Sequence, residues 1–128
     1  MAWQLRNDLP IYSQLVEHMT IAIITGKYAP GEKLPSVRDA AAEAGVNPNT
    51  MQRALSELER DGLIFTRRTS GRFVTDDTQM IGRAKLSLAE NQIQSFLGAM
   101  SQLGYTKDDV LTLLQDKLKG GENEHACF

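Results

Sequence analysis

The sequence predicts a mainly α fold that contains one small β-hairpin (α+β). In several segments apolar residues recur at spacings of three and four, as they do along the buried face of a helix. Two short β-rich runs lie close together near the middle of the chain. With 128 residues, the chain has room for one compact domain, or for one small domain with an appendage. A large substrate-enclosing enzyme is therefore not expected.

The first helix is predicted from Ile11 to Thr25, and Gly26 ends it. Its apolar stripe consists of Ile11, Leu15, Met19, Ala22 and Ile23. Residues 28–35 contain the turn-forming pair Pro30-Gly31, so we expect a connection without helix in this segment.

Two helices separated by a turn of about three residues are predicted next. The run Ser36-Val37-Arg38-Asp39 is close to a capping box, in which a hydroxyl and a carboxylate satisfy the unpaired N–H groups at a helix start. An alanine-rich helix follows until Gly45 supplies a left-handed stop, and Asn47-Pro48 starts the second helix. This spacing is typical of a helix-turn-helix.

The second helix of this pair has one apolar and one polar face, because about 3.6 residues complete each turn. The apolar face consists of Met51, Ala54, Leu55 and Leu58, and the polar face carries Asn49, Gln52, Arg53, Ser56 and Arg60. Asp61-Gly62 ends the helix.

A β-hairpin is predicted from residues 63–67 and 71–75, with Arg68-Thr69-Ser70 at its polar and basic tip. A hairpin directly after a helix-turn-helix is a wing. Residues 1–75 are therefore expected to form a winged helix-turn-helix domain.

The pattern becomes purely helical again after residues 76–78. One long helix is predicted from about Thr78 to Gly104. A last helix begins at the capping pattern Thr106-Lys107-Asp108-Asp109 and is expected to end at Gly120-Gly121.

Residues 76–119 are expected to form a helical dimerisation region, and residues 120–128 a flexible tail. Two amphipathic helices of about forty residues in total cannot close a substantial core alone, so they need a partner surface. The residues predicted to meet the partner are Ile93, Phe96, Leu97, Met100, Leu103, Val110, Leu111 and Leu114. The alternative is that part of this apolar surface packs against the first helix of the same chain.

The charge distribution bears on whether nucleic acid is a partner. The whole chain carries a formal net charge of −2, which excludes a protein that coats DNA by bulk attraction. Residues 1–75, however, hold nine basic and eight acidic groups, whereas the remaining residues hold five and eight. Arginines lie in the first helix of the pair, in the second helix and in the hairpin, so three elements can present them to one ligand.

In helix-turn-helix proteins the second helix enters the major groove, and the start of the first helix faces the DNA backbone. Amides can read adenine edges, arginine can read guanine or contact phosphate, and helix N-termini attract phosphate. The residues predicted to contact DNA are Ser36, Arg38, Asn47, Asn49, Thr50, Gln52, Arg53, Arg67, Arg68, Thr69 and Arg72. The alternative is that they form an ordinary solvated face.

Four sequence runs follow each other in a fixed order: Pro10-Ile11-Tyr12 with Gln14-Leu15, residues 31–38, residues 46–54 and residues 58–64. Together they resemble the winged helix-turn-helix of GntR-type bacterial transcription regulators. The run Asn47-Pro48-Asn49-Thr50 resembles the YtrA-like subgroup, whose members carry only about two helices after the DNA-binding domain. The resemblance implies a homodimeric repressor of a palindromic operator, with its own operon and neighbouring transporter genes as targets.

Catalytic and metal-binding functions find little support in the residues. His18 has no partner at the spacing of a metal site or a catalytic triad, and the loose cluster of Glu122, Glu124, His125 and Cys127 is not expected to hold a functional metal. We predict no enzyme activity, no catalytic residue, no metal and no cofactor. Trp3 and Tyr12 are expected to anchor the N-terminal arm rather than to line an effector pocket.

The single cysteine, Cys127, and the absence of a stretch of about 18 apolar residues favour a soluble, cytoplasmic protein. The expected partners are double-stranded DNA with a palindromic operator and a second copy of the chain, and not a membrane. A small-molecule effector is left open.

The alternative function is a winged-helix module that binds another protein or single-stranded nucleic acid. Sequence-specific, salt-sensitive protection of a palindrome distinguishes the two functions.

Overall fold

The structure is a computed structural model that describes residues 3–123. Cys127 and His125 lie outside the described residues, as does most of the predicted tail. The chain divides into two compact units, of which the first ends at Leu86 and the second starts at Ser87. Among the helices of residues 3–123, none combines the length and the apolar composition that a membrane-spanning helix needs.

Within residues 3–123, five helices and one hairpin follow each other in the predicted order. Their bounds are α1 Ile11–Ile24, α2 Val37–Ala44, α3 Pro48–Arg60, β1 Ile64–Arg67, β2 Gly71–Val74, α4 Thr78–Gln102 and α5 Lys107–Asn123. Each strand is one residue shorter than predicted, and the mainly helical fold class is confirmed.

The core of the first unit lies between α1 and α3. Leu15, Met19 and Ile23 of α1 and the predicted apolar face of α3 are buried almost completely. The fully buried residues of helix α2 are all alanines, whose small side chains let its backbone lie close to α3, and the half-buried Val37 also packs against this core. The first turns of α4 also belong to this unit, since Met80, Ile81 and Ala84 pack against the core.

Local capping explains why α2 and α3 start and stop where the sequence predicts. The Ser36 hydroxyl accepts a hydrogen bond from the Asp39 backbone N–H at 3.1 Å, and Gly45 ends α2 in the left-handed conformation at φ 76°. The Asn47 side-chain oxygen accepts from the Asn49 backbone N–H at 2.7 Å, with Pro48 in the first turn. The helix-turn-helix is thus confirmed.

The second strand of the hairpin is hydrogen-bonded through its backbone to the segment before α2. β1 and β2 are antiparallel, with Phe65 opposite Phe73. Beyond β2, the backbone of residues 31–34 continues the hydrogen bonding, because the Leu34 N–H donates to the Arg72 carbonyl at 2.9 Å. The wing is therefore anchored on the segment that leads into α2.

The second unit contains the end of α4 and all of α5. Thr106 and Asp109 form a reciprocal capping box, because the backbone N–H of each donates to the side chain of the other. The bond from the Thr106 backbone lowers the pKa of the Asp109 carboxyl. The predicted end of α5 at Gly120-Gly121 is wrong, since the helix continues to Asn123. Gly120 does not adopt a positive φ, so it weakens the helix without ending it.

The N-terminal arm packs on the first unit as predicted for Trp3. The Trp3 ring stacks on the His18 ring with centroids 3.8 Å apart, and the Gln14 side chain exchanges hydrogen bonds with the Arg6 backbone. Burial and the nearby Lys27 lower the pKa of His18 below its ordinary value of 6.5. Within residues 3–123, no group of three His, Cys, Asp or Glu side chains is arranged to hold a metal ion.

The lowered pKa of His18 predicts how stability depends on pH. The folded state favours neutral His18, so the unfolded chain binds more protons as the pH falls through 6.5. The free energy of unfolding should therefore fall between about pH 7.5 and pH 5.5, and His18→Gln should flatten this dependence. Urea unfolding at fixed protein concentration measures it. A wild-type free energy that stays constant or rises towards pH 5.5 contradicts the assignment.

Candidate nucleic-acid interface

The outer face of α3 is polar and exposed to solvent. Asn49, Gln52 and Arg53 are exposed there, on the side opposite the buried Met51 and Leu55. The Gln52 amide donates to the Ser56 hydroxyl at 3.3 Å, one turn further along the helix. Because this bond uses one amide N–H, the second N–H and the carbonyl oxygen of Gln52 remain for a base edge.

The two helix caps hold part of the predicted interface in place. The oxygens of Ser36 and Asn47 accept backbone hydrogen bonds at the starts of α2 and α3. The side-chain N–H groups of Asn47 therefore remain as its main donors to a ligand. Both residues are exposed, and so is Arg38 in the first turn of α2. These positions suit contacts to a phosphate backbone.

The start of α2 and the tip of the wing face each other across a groove of about 560 Å³. Ser36 lies on one side, and Thr69 and Arg72 lie on the other. Lys33 also lines this groove, although it is not among the residues that the sequence predicts to contact DNA. The structure thus brings three of the predicted DNA-contacting residues to one cleft and adds a lysine to them.

Arg53 lies at a second groove, between α3 and the start of α1. The centre of its guanidinium is 3.7 Å from the centroid of the Tyr12 ring. Asn49 and the half-buried Thr50 line the same groove, which has a volume of about 500 Å³. Tyr12 was predicted to anchor the N-terminal arm, whereas its ring covers a residue of the candidate recognition helix.

The three wing arginines differ in their surroundings. Arg67 is exposed, and its guanidinium lies 5.5 and 5.3 Å from the rings of Phe65 and Phe73. Arg68 is exposed at the tip. Arg72 is only 20% exposed, and its Nε is buried 4.0 Å from Glu59 Oε1. Arg72 is therefore less available to a ligand than an exposed wing arginine, although it lines the groove beside α2.

Glu59 explains the different position of Arg72. Arg72 and Thr66 are opposite each other in the hairpin, on the side that faces the end of α3. Glu59 accepts a hydrogen bond from the Thr66 hydroxyl at 2.9 Å and lies beside Arg72. Strand alternation predicts that these side chains share a face, but the sequence does not show that Glu59 meets them.

Comparison with known proteins decides the family. The family model described as "Bacterial regulatory proteins, gntR family" matches residues 11–74, which span α1 to β2. The chain belongs to this family. Its members are transcription regulators, a class of DNA-binding proteins rather than enzymes.

Two relatives from Bacillus subtilis extend the match beyond the wing. The uncharacterized HTH-type transcriptional regulator YhcF is 36% identical over 118 residues, which cover 92% of this chain and 98% of YhcF. The HTH-type transcriptional repressor YtrA is 37% identical over 98 residues, which cover 77% of this chain and 71% of YtrA. The resemblance to the YtrA-like subgroup is confirmed.

Solved structures agree with the fold of this GntR-family chain. A GntR family transcriptional regulator from Listeria monocytogenes has a TM-score of 0.80 and 36% identity, and the match covers 88% of this chain and 98% of that one. The DNA-binding domain of AraR in complex with operator ORX1 has a TM-score of 0.50 and 29% identity, over 59% of this chain and 92% of that domain.

Arg53→Ala tests the outer face of α3. If Arg53 contacts a base edge with two hydrogen bonds, its loss should weaken specific DNA binding by about 1 to 3 kcal/mol. Arg60→Ala is the matched control, because it removes the same charge from an exposed position at the other end of the same helix. Fluorescence anisotropy at fixed salt measures both. Unchanged affinity in Arg53→Ala, or equal losses in both variants, removes Arg53 from the contact surface.

Proposed function

We propose that this GntR-family regulator is a repressor that binds a palindromic operator as a homodimer. The observation that carries the proposal is the outer face of α3, which is polar and exposed on a helix whose other face is buried in the core. This face stands next to a wing with exposed arginines, as in proteins that read the major groove with one helix and contact the backbone with the wing.

In this proposal Asn49, Gln52 and Arg53 read base edges from the N-terminal half of α3. The groove between α2 and the wing receives the adjacent phosphates, because Lys33 and the start of a helix attract them there, although the Asp39 carboxylate at the same groove opposes this attraction. Arg67 and Arg68 extend these contacts along the backbone. The low net charge keeps sequence-independent binding weak, so base contacts would supply much of the preference for one site.

Dimerisation is proposed for α4 and α5 because five of the eight residues in their predicted stripe are exposed in the single chain. Ile93, Leu103 and Leu111 are 54%, 71% and 56% exposed, and Phe96 and Leu114 are about 40% exposed. Leu97 and Met100 are half-buried, and Val110 is only 4% exposed, so Val110 is buried within the single chain and offers no surface to a partner. Contiguous apolar surface of this kind marks an interaction site, and a second copy would bury it.

Symmetry connects the dimer with the operator. Two copies present two α3 helices, and a two-fold axis between them requires a palindromic site with half-sites about one helical turn apart.

Repression would follow from occupation of the promoter in the cytoplasm, without chemistry on the DNA. The repressor YtrA among its relatives supports repression over activation. We propose its own operon and neighbouring transporter genes as the targets. An unidentified small-molecule effector is included among the proposed partners.

Selection of DNA from random sequence by the purified full chain tests the function. The expected result is a palindrome whose half-sites are separated by about one helical turn, bound with a strong dependence on salt. A scrambled fragment of the same length and composition is the control. Enrichment of no double-stranded sequence, or equal affinity for a single strand, contradicts the proposal and favours a different ligand of the winged helix.

Phe96→Glu tests the dimer interface. A carboxylate in the centre of the apolar stripe would be buried without a partner, so the variant should sediment as a monomer at concentrations where the wild type is a dimer. Ser95→Glu adds the same charge to the adjacent exposed position, outside the stripe, and should leave the dimer intact. A dimer in Phe96→Glu, or a monomeric wild type, contradicts the assignment of α4 and α5.

A further inference from the structure

The contact between Tyr12 and Arg53 joins two residues from different helices. Tyr12 is the second residue of α1 and is half-buried, and Arg53 is exposed in the first half of α3. With the guanidinium centre 3.7 Å from the ring centroid, the arginine lies in the range of a cation–π interaction. The buried packing of α1 on α3 fixes the positions of both backbones.

A separation of 3.7 Å is typical of stacked planar groups, an arrangement in which the ring covers one face of the guanidinium and leaves its edge open. The N–H donors of arginine lie in the plane of the group, whereas the ring attracts the group through its face. Among the ion pairs and side-chain hydrogen bonds of residues 3–123, none involves Arg53. Its fork of donors therefore stays available to a ligand while the side chain is held.

Two other arginines of the first unit, Arg60 and Arg72, have carboxylate partners instead of an aromatic ring. Arg60 bonds to Glu57 at 3.4 Å, and Arg72 lies beside Glu59. A carboxylate partner competes with a base edge or a phosphate for the same N–H groups. An aromatic ring holds the side chain without this competition. The N–H donors of the arginine then stay free for hydrogen bonds to a base edge.

We propose that Tyr12 is a positioning residue that sets the sequence selectivity of Arg53. The proposal rests on the proposed function, and it deepens it by assigning a selectivity role to a residue of α1. An arginine whose side chain is free to move continues to attract phosphates through its charge, and this attraction is independent of the DNA sequence. Two hydrogen bonds to one base need a fixed guanidinium plane, so loss of the ring should reduce binding to the preferred sequence alone.

The experiment uses the full chain and two DNA probes. One is the palindromic fragment selected from random sequence by the wild type, and the other is a scrambled fragment of the same composition. Tyr12→Phe keeps the ring and should bind both fragments as the wild type does. Tyr12→Leu removes the ring and should weaken binding to the selected fragment by about three- to tenfold per half-site, with unchanged binding to the scrambled fragment.

A second series keeps the shape of the side chain and changes only its charge distribution. Phenylalanine analogues with increasing numbers of ring fluorines, incorporated at position 12, progressively weaken the negative face of the ring. Affinity for the selected fragment should fall with each added fluorine. This series keeps the test decisive even if Tyr12→Leu is unfolded, which circular dichroism of each variant shows.

A double-mutant cycle separates positioning from a general structural effect. In the Arg53→Ala background, Tyr12→Leu should cause no further loss of affinity, because the arginine it holds is gone. Additive losses, equal losses on both DNA fragments, or an affinity that ignores fluorination would overturn the role of Tyr12. A wild type that does not distinguish the two fragments overturns the proposed function itself, and the role of Tyr12 with it.

Discussion

The packing of α3 against α1 determines where the candidate DNA-binding residues lie. Met51, Leu55 and Leu58 are completely buried, and the helical repeat then directs Asn49, Gln52 and Arg53 to solvent. The same packing places the start of α1 beside the first half of α3. Leu63, Ile64 and Val74 continue the core into the hairpin, so the wing takes its position from the same apolar cluster. One face of α3 therefore belongs to the core, and its opposite face belongs to the candidate interface.

In the first unit, the partners of the arginines matter more for DNA binding than the number of charges does. The net charge of −2 does not by itself indicate a DNA-binding protein. Arg38 and Arg68 are exposed, and Arg53 and Arg67 lie against aromatic rings, which leave their donors unused. Arg60 and Arg72 lie beside carboxylates. The positive surface is thus small and directed, which suits a protein that must distinguish one DNA sequence from many others.

Most of the fold was predictable because its signals are local. The caps at Ser36 and Asn47, the left-handed Gly45 and the periodic apolar residues each act within a few positions, and the structure contains all of them. The contact of Tyr12 with Arg53 and that of Arg72 with Glu59 were not predictable, because each depends on how separate elements pack. The end of α5 was predicted wrongly because a glycine lowers helix stability without stopping a helix.

Methylation interference on the selected DNA fragment tests most directly whether the outer face of α3 reads the major groove. Dimethyl sulfate methylates guanine N7 in the major groove and adenine N3 in the minor groove, so one reaction reports on both. If α3 enters the major groove in each copy of a dimer, guanine N7 methylation should block binding at two symmetric positions about one helical turn apart. Interference from adenine N3 methylation alone, or at one position without a symmetric counterpart, would contradict this account.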